Sequence, residues 1–511
     1  MANKTIKISL LGLLLIMFMS VAMAAEVTQD TTNEVTTPSI DTIEATTPEV
    51  VDVESDVTDT DCGCTCPINP SNTSTVTPDT TLTVQNDTTY DFSGTFTNKN
   101  YNFENLDTVV FTSSANNAIF YNTTFTLSGK NIKISNLIFN NTNTNGNPIT
   151  ITSTNVSCIS GNTINVFKNV SEETFGINVI NSNNTCICGN TINEIGVPQM
   201  MGWETGVGAI KFSGIVFNNV NTSCIKGNTL NLQNVTTAYP FGYSTMEAIT
   251  VKGGSQNDTV KQNVITVTGS EYIYAISLSE FDNNITVEEN NITLTGSNYI
   301  CGVQLSSVTN STVRKNKIEG TCSEESGQGA SYEAFAYGVA VLTGTWGAST
   351  SEATGNIVEY NNVTLDSTVA YAYELSNADN TIIQYNNASI TGNVVMALGI
   401  YNSSCNNITN NIFRVTGNTR TLNNSIYEAV YPETTGIKIV DYSSDIIIDN
   451  NSITVTDTTN NNSTYCVIIE EDCDSIDVIN NTLYSSDPLI RQGNDSVYDD
   501  TLGGQNINNN N

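Results

Sequence analysis

The chain has no histidine among its 511 residues. That excludes imidazole acid–base catalysis and His-ligated metal centres. Positive charge is almost as scarce. Lys and Arg total 17 against 51 Asp and Glu, and the only arginines are Arg314, Arg414, Arg420 and Arg491. Nucleic acids and nucleotides are held by clustered cations, so a net charge of −34 excludes both as partners. It equally disfavours an anionic lipid surface. Charged residues of either sign make up only 13% of the chain. Asn, Thr and Ser take their place. No segment carries a sustained helical period with caps.

Four regions follow from composition. Residues 1–24 read as an export signal: Lys4 and Lys7, an apolar run from Ile8 to Val21, then a small-residue cleavage site at Ala24. The mature chain is therefore expected outside the cell or on its surface. Residues 25–79 are Thr-rich and acidic, with too few large apolar groups to order themselves. They form a disordered stalk and include Cys62, Cys64 and Cys66. Three thiols without a histidine make a poor soft-metal site, so they either cross-link chains or stay inert. Residues 80–490 are the repetitive body. Residues 491–511 form a polar tail.

One phrase recurs through the body: an apolar residue, two variable residues, Asn, one variable residue, and usually another apolar residue. Copies include ISGNTI (159–164), ICGNTI (187–192), IKGNTL (225–230), VKQNVI (260–265), VEENNI (287–292), VRKNKI (313–318), VEYNNV (358–363) and VINNTL (478–483). A second phrase, a small residue and then alternating apolar residues, precedes most copies by 11 or 12 positions: GINV (176–179), GIVF (214–217), AITV (248–251), GVQL (302–305), GIKI (436–439). Short alternating runs split by Asn and Gly are strands split by turns. Several strands per repeat of about 25 residues, without helices, imply a chain that winds over itself. The expected fold is all-β, a right-handed parallel β-helix of about a dozen coils. The recurring Asn is expected to supply the left-handed backbone of a tight turn and to bond to the Asn of the next coil.

The register makes a prediction of its own. The residue after the first apolar position should point outward, and in successive repeats it is Lys261, Glu288, Arg314 and Glu359. Alternating charge is what stacked neighbours should carry. Length varies mainly at one place, between the Asn phrase and the next small-residue strand. Insertions therefore collect along one side of the coil, where a rigid scaffold presents loops for function.

The stacked Asn turns and small-residue strands resemble the pectate-lyase-like superfamily of parallel β-helices. With the signal, the acidic Thr-rich stalk and the lack of His, residues 80–490 are similar to the adhesin-like, Asn/Thr-rich surface proteins of gut methanogenic archaea. That resemblance implies attachment to glycans or to cell-surface proteins of a neighbouring cell. It supplies no site motif. The related lyases use a basic residue with Ca²⁺ or Arg on an acidic sugar, a set hard to assemble from four arginines. The chain is therefore read as a binding protein and not an enzyme. A polysaccharide lyase or glycoside hydrolase, and a structural envelope component, are the competing readings.

The insertions hold the candidate binding residues: Trp203 in VPQMMGWE, with Tyr239, Phe241, Tyr243, Tyr332, Phe335 and Tyr431. Flat aromatics beside carboxylates suit sugar faces and hydroxyls. They equally suit loops folded back over the coil. Aromatics just before the small residue, at Phe175, Tyr274, Tyr337, Tyr371 and Tyr465, read first as structural stacks and second as a sugar platform. An acidic group near the C-terminal end aligns Asp441 with Glu471, near Asp445 and Asp472. Oxygen ligands of this kind select Ca²⁺, the one cofactor the sequence suggests, although solvated acids give the same pattern. Cys158, Cys186 and Cys224 share one repeat position, and Cys466 and Cys473 lie close in sequence. Both groups are disulfide candidates. Asn-x-Ser/Thr sequons, as at Asn122, Asn221 and Asn310, are little more frequent than so much Asn, Ser and Thr produces by chance.

Overall fold

Alternation of period two dictates the local structure. In a representative coil, Tyr272–Ser279, Thr286–Glu288 and Asn291–Gly296 are strands. The inward residues of this coil, Ile273, Ala275, Ile276, Leu278, Ile285, Val287, Ile292 and Leu294, are buried in one continuous core. The next coil repeats the set in register, with Tyr272 opposite Tyr299, Thr286 opposite Thr312 and Asn291 opposite Lys317. All strand pairs are parallel, in sheets of 26, 14 and 2 strands. The protein is a right-handed parallel β-helix. This computed structural model describes residues 67–511 apart from 143–146, 169–172, 197–210, 235–244, 270–271, 324–333, 344–352, 419–433, 459–463, 488–492 and 502–504.

The Asn of the repeated phrase forms a buried ladder. It runs Asn162, Asn190, Asn228, Asn263, Asn290, Asn316, Asn361, Asn386, Asn411, Asn451, Asn481 and Asn510. Each Nδ2 donates to the Oδ1 of the next rung; Asn290 to Asn316 is 2.9 Å. The same Oδ1 also accepts the backbone N–H of the rung below, as Asn290 N to Asn316 Oδ1 at 3.0 Å. A second Nδ2 hydrogen meets a strand carbonyl, Val260 O for Asn290. A primary amide satisfies all of these at once, which a carboxylate or hydroxyl cannot.

The left-handed residue is not this Asn but the one before it. Gly161, Gly189, Gly227, Gln262, Glu289, Lys315, Tyr360 and Tyr385 all have positive φ, 54–66°. The ladder Asn turns inward to bond, so its exposed neighbour takes the corner.

The small-residue column also has a steric cause. It runs Gly176, Gly214, Ala248, Ala275, Gly302, Gly338, Ala372, Ala397, Gly436 and Cys466 through the bend of the long strands. A Cβ at Gly338 would lie 2.4 Å from Ala372 O and 2.6 Å from Val363 Cγ1.

Both ends of the coil extend beyond the expected 80–490. Asn72–Val76 already pairs with Thr88–Phe92, and Val497–Asp499 and Asn506–Asn508 pair with the last full coil. These strands carry one inward apolar residue each, Val76, Val497 and Ile507, too few to show an apolar period. The N-terminal coils are filled by rings instead: Phe92, Phe96, Phe111, Phe120, Phe125 and Phe139 are fully buried, with Phe96 and Phe120 stacked at 4.8 Å.

Candidate functional site

The long strands bend at the small-residue column, and two outward rows flank that bend. The first holds Phe175, Ser213, Glu247, Tyr274, Cys301, Tyr337, Tyr371, Met396, Thr435 and Tyr465. The second includes Thr250, Ser277, Gln304, Ala340, Glu374, Gly399 and Lys438. The rows converge outside the coil. Thr250 Oγ1 donates to Glu247 Oε2 at 2.5 Å across the bend. The result is a valley running up the coil.

Tyrosine rings line the valley. Tyr274 and Tyr299 lie 5.4 Å apart, Tyr299 and Tyr337 5.2 Å, and Tyr337 and Tyr371 5.2 Å with an interplanar angle of 8°. Cys301 interrupts the tyrosine row, and the ring of Tyr299, two residues earlier, bridges the interval. At the far end Tyr401 lies over Gly399, where a Cβ would be 2.7 Å from its ring. Its hydroxyl approaches the Tyr371 hydroxyl at 3.5 Å and Met396 Sδ at 3.9 Å.

Glu374 stands among these rings, with Ala340 below it and Gly399 above. The Tyr401 ring occupies the space over Gly399, and no described residue hydrogen-bonds the Glu374 carboxyl. Burial pushes it up to about 7. Its charge in turn helps hold the Cys301 thiol and the Tyr337 and Tyr401 hydroxyls protonated, beyond the larger effect of their own burial. One coil before Ala340, the buried Gln304 Oε1 has no hydrogen-bond partner. A carboxyl without a donor, beside stacked rings, is suited to a hydroxyl-rich ligand.

Of the expected aromatics before the small residue, Tyr274, Tyr337 and Tyr371 belong to one stack. Tyr465 pairs separately with Tyr498 at 5.3 Å, and Phe175 lies further down the same row. Among the insertion residues, Phe335 is described. It is half-buried at the start of Phe335–Leu342, in register with Tyr299. Trp203, Tyr239, Phe241, Tyr243, Tyr332 and Tyr431 lie outside the described residues. Most of these insertions immediately precede long strands of the valley. No sequence pattern marks Tyr299, Tyr401, Gln304 or Glu374. Tyr299 was hidden because Cys301 occupies the aromatic position of its repeat.

The acidic group is in the expected register, Ser444 opposite Asp474 and Ile447 opposite Asp477. Among the described residues no group of three or more acidic or cysteine side chains is placed to hold a metal ion, Asp441, Asp445, Glu471 and Asp472 included. A cation already serves this region: Lys438 Nζ lies 3.0 Å from Glu470 Oε1. Asp441 is raised above the usual carboxylate range by burial and then by Glu470.

Cys158, Cys186 and Cys224 do stack in register. Cys158 and Cys224 are disulfide-bonded, as is Cys188. Cys186 keeps its thiol, and so do Cys466 and Cys473. The Cys466 thiol instead points at carbonyls, 3.3 Å from Tyr484 O.

No family model matches the chain, and no curated protein matches it. It is similar to several solved structures. A surface adhesin of Streptococcus pneumoniae, PfbA, is 13% identical, with 75% of this chain and 88% of that one covered and a TM-score of 0.43. The tailspike protein of E. coli bacteriophage HK620, solved with a pentasaccharide, is 11% identical over 74% and 71%, at 0.39. The periplasmic alginate epimerase AlgG is 11% identical over 77% and 78%, at 0.35.

Proposed function

We propose that this chain is a secreted or cell-surface binding protein whose tyrosine valley receives carbohydrate, either free or displayed on a partner cell. One observation carries the reading: the stack Tyr274–Tyr299–Tyr337–Tyr371, with the carboxyl of Glu374 beside it. Rings offer flat apolar area, and the Glu374 carboxyl takes sugar hydroxyls. The export signal at 1–24 supports the location.

Spacing supports binding over hydrolysis. Glu247 and Glu374 are the carboxylates of the two rows, and four coil steps separate them. At about 4.8 Å per step that is roughly 19 Å. A glycosidase pair works at about 5–9.5 Å.

A glycan array with the full chain tests this. Binding should fall about tenfold for each ring lost in Tyr337→Ala and Tyr371→Ala, with the circular dichroism spectrum unchanged. Folded variants that bind as the parent does overturn the valley as the site. New reducing or unsaturated ends on incubation with polysaccharides overturn the non-enzymatic reading.

A further inference from the structure

Glu374 is an acid without a counter-charge. It is half-buried in the valley, and no described residue hydrogen-bonds it or pairs with it as an ion. Its own row holds Thr250, Ser277, Gln304 and Ala340 below it and Gly399 above, none of them charged. The first cation of that row is Lys438, two coil steps up, at about 9.6 Å. Lys438 Nζ already lies 3.0 Å from Glu470 Oε1. Across the bend the facing row offers Cys301, Tyr337, Tyr371, Met396 and Thr435, again without a cation.

Acceptors dominate the surroundings of this carboxyl. The Tyr299, Tyr337 and Tyr401 hydroxyls and the Cys301 thiol are within its electrostatic reach. The Tyr401 and Tyr371 hydroxyls meet at 3.5 Å. A phenol oxygen accepts hydrogen bonds as well as donating one, and a carboxylate only accepts. A partner with several donors and a positive charge completes such a set. A neutral hydroxyl supplies a donor but leaves the half-buried charge uncompensated. A metal ion needs more ligands of its own kind, and among the described residues no group of three or more acidic or cysteine side chains is placed to hold one. An alkylammonium needs one carboxylate. It brings three donors and no acceptor, and aromatic rings attract it.

We propose that Glu374 and the phenol oxygens beside it bind a protonated primary amine, so that the carbohydrate taken by the valley carries unacetylated amino sugars. This rests on the valley being the carbohydrate site, and it narrows that site to a cationic class of glycan. Sugar faces lie against the tyrosine stack. The ammonium pairs with the carboxylate, whose remaining lone pairs stay open to hydroxyls. Burial pushes the unliganded Glu374 up to about 7, and an ammonium beside it favours the ionised form. The whole chain selects the same class, because a net charge of −34 attracts a basic glycan and repels an acidic one.

Calorimetric titration of the full chain near pH 6.5 tests this, with an oligosaccharide of glucosamine and its fully N-acetylated counterpart of equal length. The amino oligosaccharide should bind at least about tenfold more tightly, the contribution of one hydrogen bond between charged groups. Glu374→Gln keeps the shape of the side chain and removes its charge. It should erase the preference and leave the affinity for the acetylated oligosaccharide unchanged. Tyr337→Ala should weaken both. Equal affinity of the parent for the two, a preference that survives in Glu374→Gln, or an equal loss for both in that variant overturns the amine site. Where Tyr337→Ala still weakens binding in those cases, the valley stands as a carbohydrate site and its amine specificity falls. Absence of binding to either oligosaccharide also overturns the amine site, and the glycan array then decides the valley.

Discussion

Asp258 and Asn356 hold the same position of a second turn ladder, three coils apart, and the side chains differ in one group. Asn356 Oδ1 accepts from Ser311 N at 3.0 Å while its Nδ2 donates to Val308 O at 2.8 Å. Asp258 Oδ1 accepts the equivalent bond from Ser223 N at 2.7 Å, but its buried Oδ2 has no partner. An oxygen stands where the ladder calls for a donor, and only a protonated carboxyl supplies one. Burial pushes Asp258 up to about 8, against the Ser223 hydrogen bond and with a smaller push from Asp282. Asp282, also buried, is pushed up to about 7 although Ser279 and Ser255 bond to it.

The pH dependence follows from the sign of those shifts. Both groups hold a proton more tightly folded than unfolded. Their stabilising contribution is complete below the unfolded value near 3.8 and is lost as pH rises through about 7 and 8. The urea midpoint should therefore fall between pH 5 and pH 9. Asp258→Asn restores the donor without a titrating group. It should be more stable than the parent at pH 9 and should flatten the profile. A variant as sensitive to pH as the parent removes Asp258 as the cause.

The main ladder was legible because it is both buried and repeated. The phrase around Asn162 to Asn481 marks each rung in sequence. What one sequence did not give was the division of labour within the turn, because Glu289 and Lys315 look unsuited to positive φ until the inward bonds of Asn290 and Asn316 are seen. The valley was half legible. Tyr337 and Tyr371 precede a small residue and were visible. Tyr299 depends on Cys301 leaving space, and Glu374 on Ala340 and Gly399 stacking around it. Those are relations between coils, and no local window contains them.

Removing one rung of the main ladder should be costly. Asn290→Ala takes the acceptor from both Asn263 N and Asn263 Nδ2, and the donor from Val260 O. Each stranded buried group costs about 1–3 kcal/mol. The expected loss is at least ~3 kcal/mol, read from the denaturation midpoint. Asn387→Ala, on the exposed neighbouring column, should cost under about 1 kcal/mol. Equal effects at the two sites would deny the buried ladder its role.

The charge ladder stacks as its sequence pattern predicts, but it is not a row of solvated pairs. Glu288 accepts from Arg314 at 2.7 Å and faces Lys261 Nζ at 3.6 Å, and the side chains of Lys261 and Glu288 are only 6% and 9% exposed. Pairs in water contribute little. A pair this buried behaves differently, because removing one partner strands the other away from solvent. Glu288→Ala should lower stability by about 3–5 kcal/mol. Replacing both ends, Lys261→Met with Glu288→Met, should recover most of that loss, because apolar side chains of similar volume carry no desolvation cost. Arg314, at 21% exposure, can turn to solvent in the double variant. Salt should scarcely change the parent midpoint, since buried pairs are poorly screened. A double variant as unstable as Glu288→Ala would show that this column depends on its charges and not on packing.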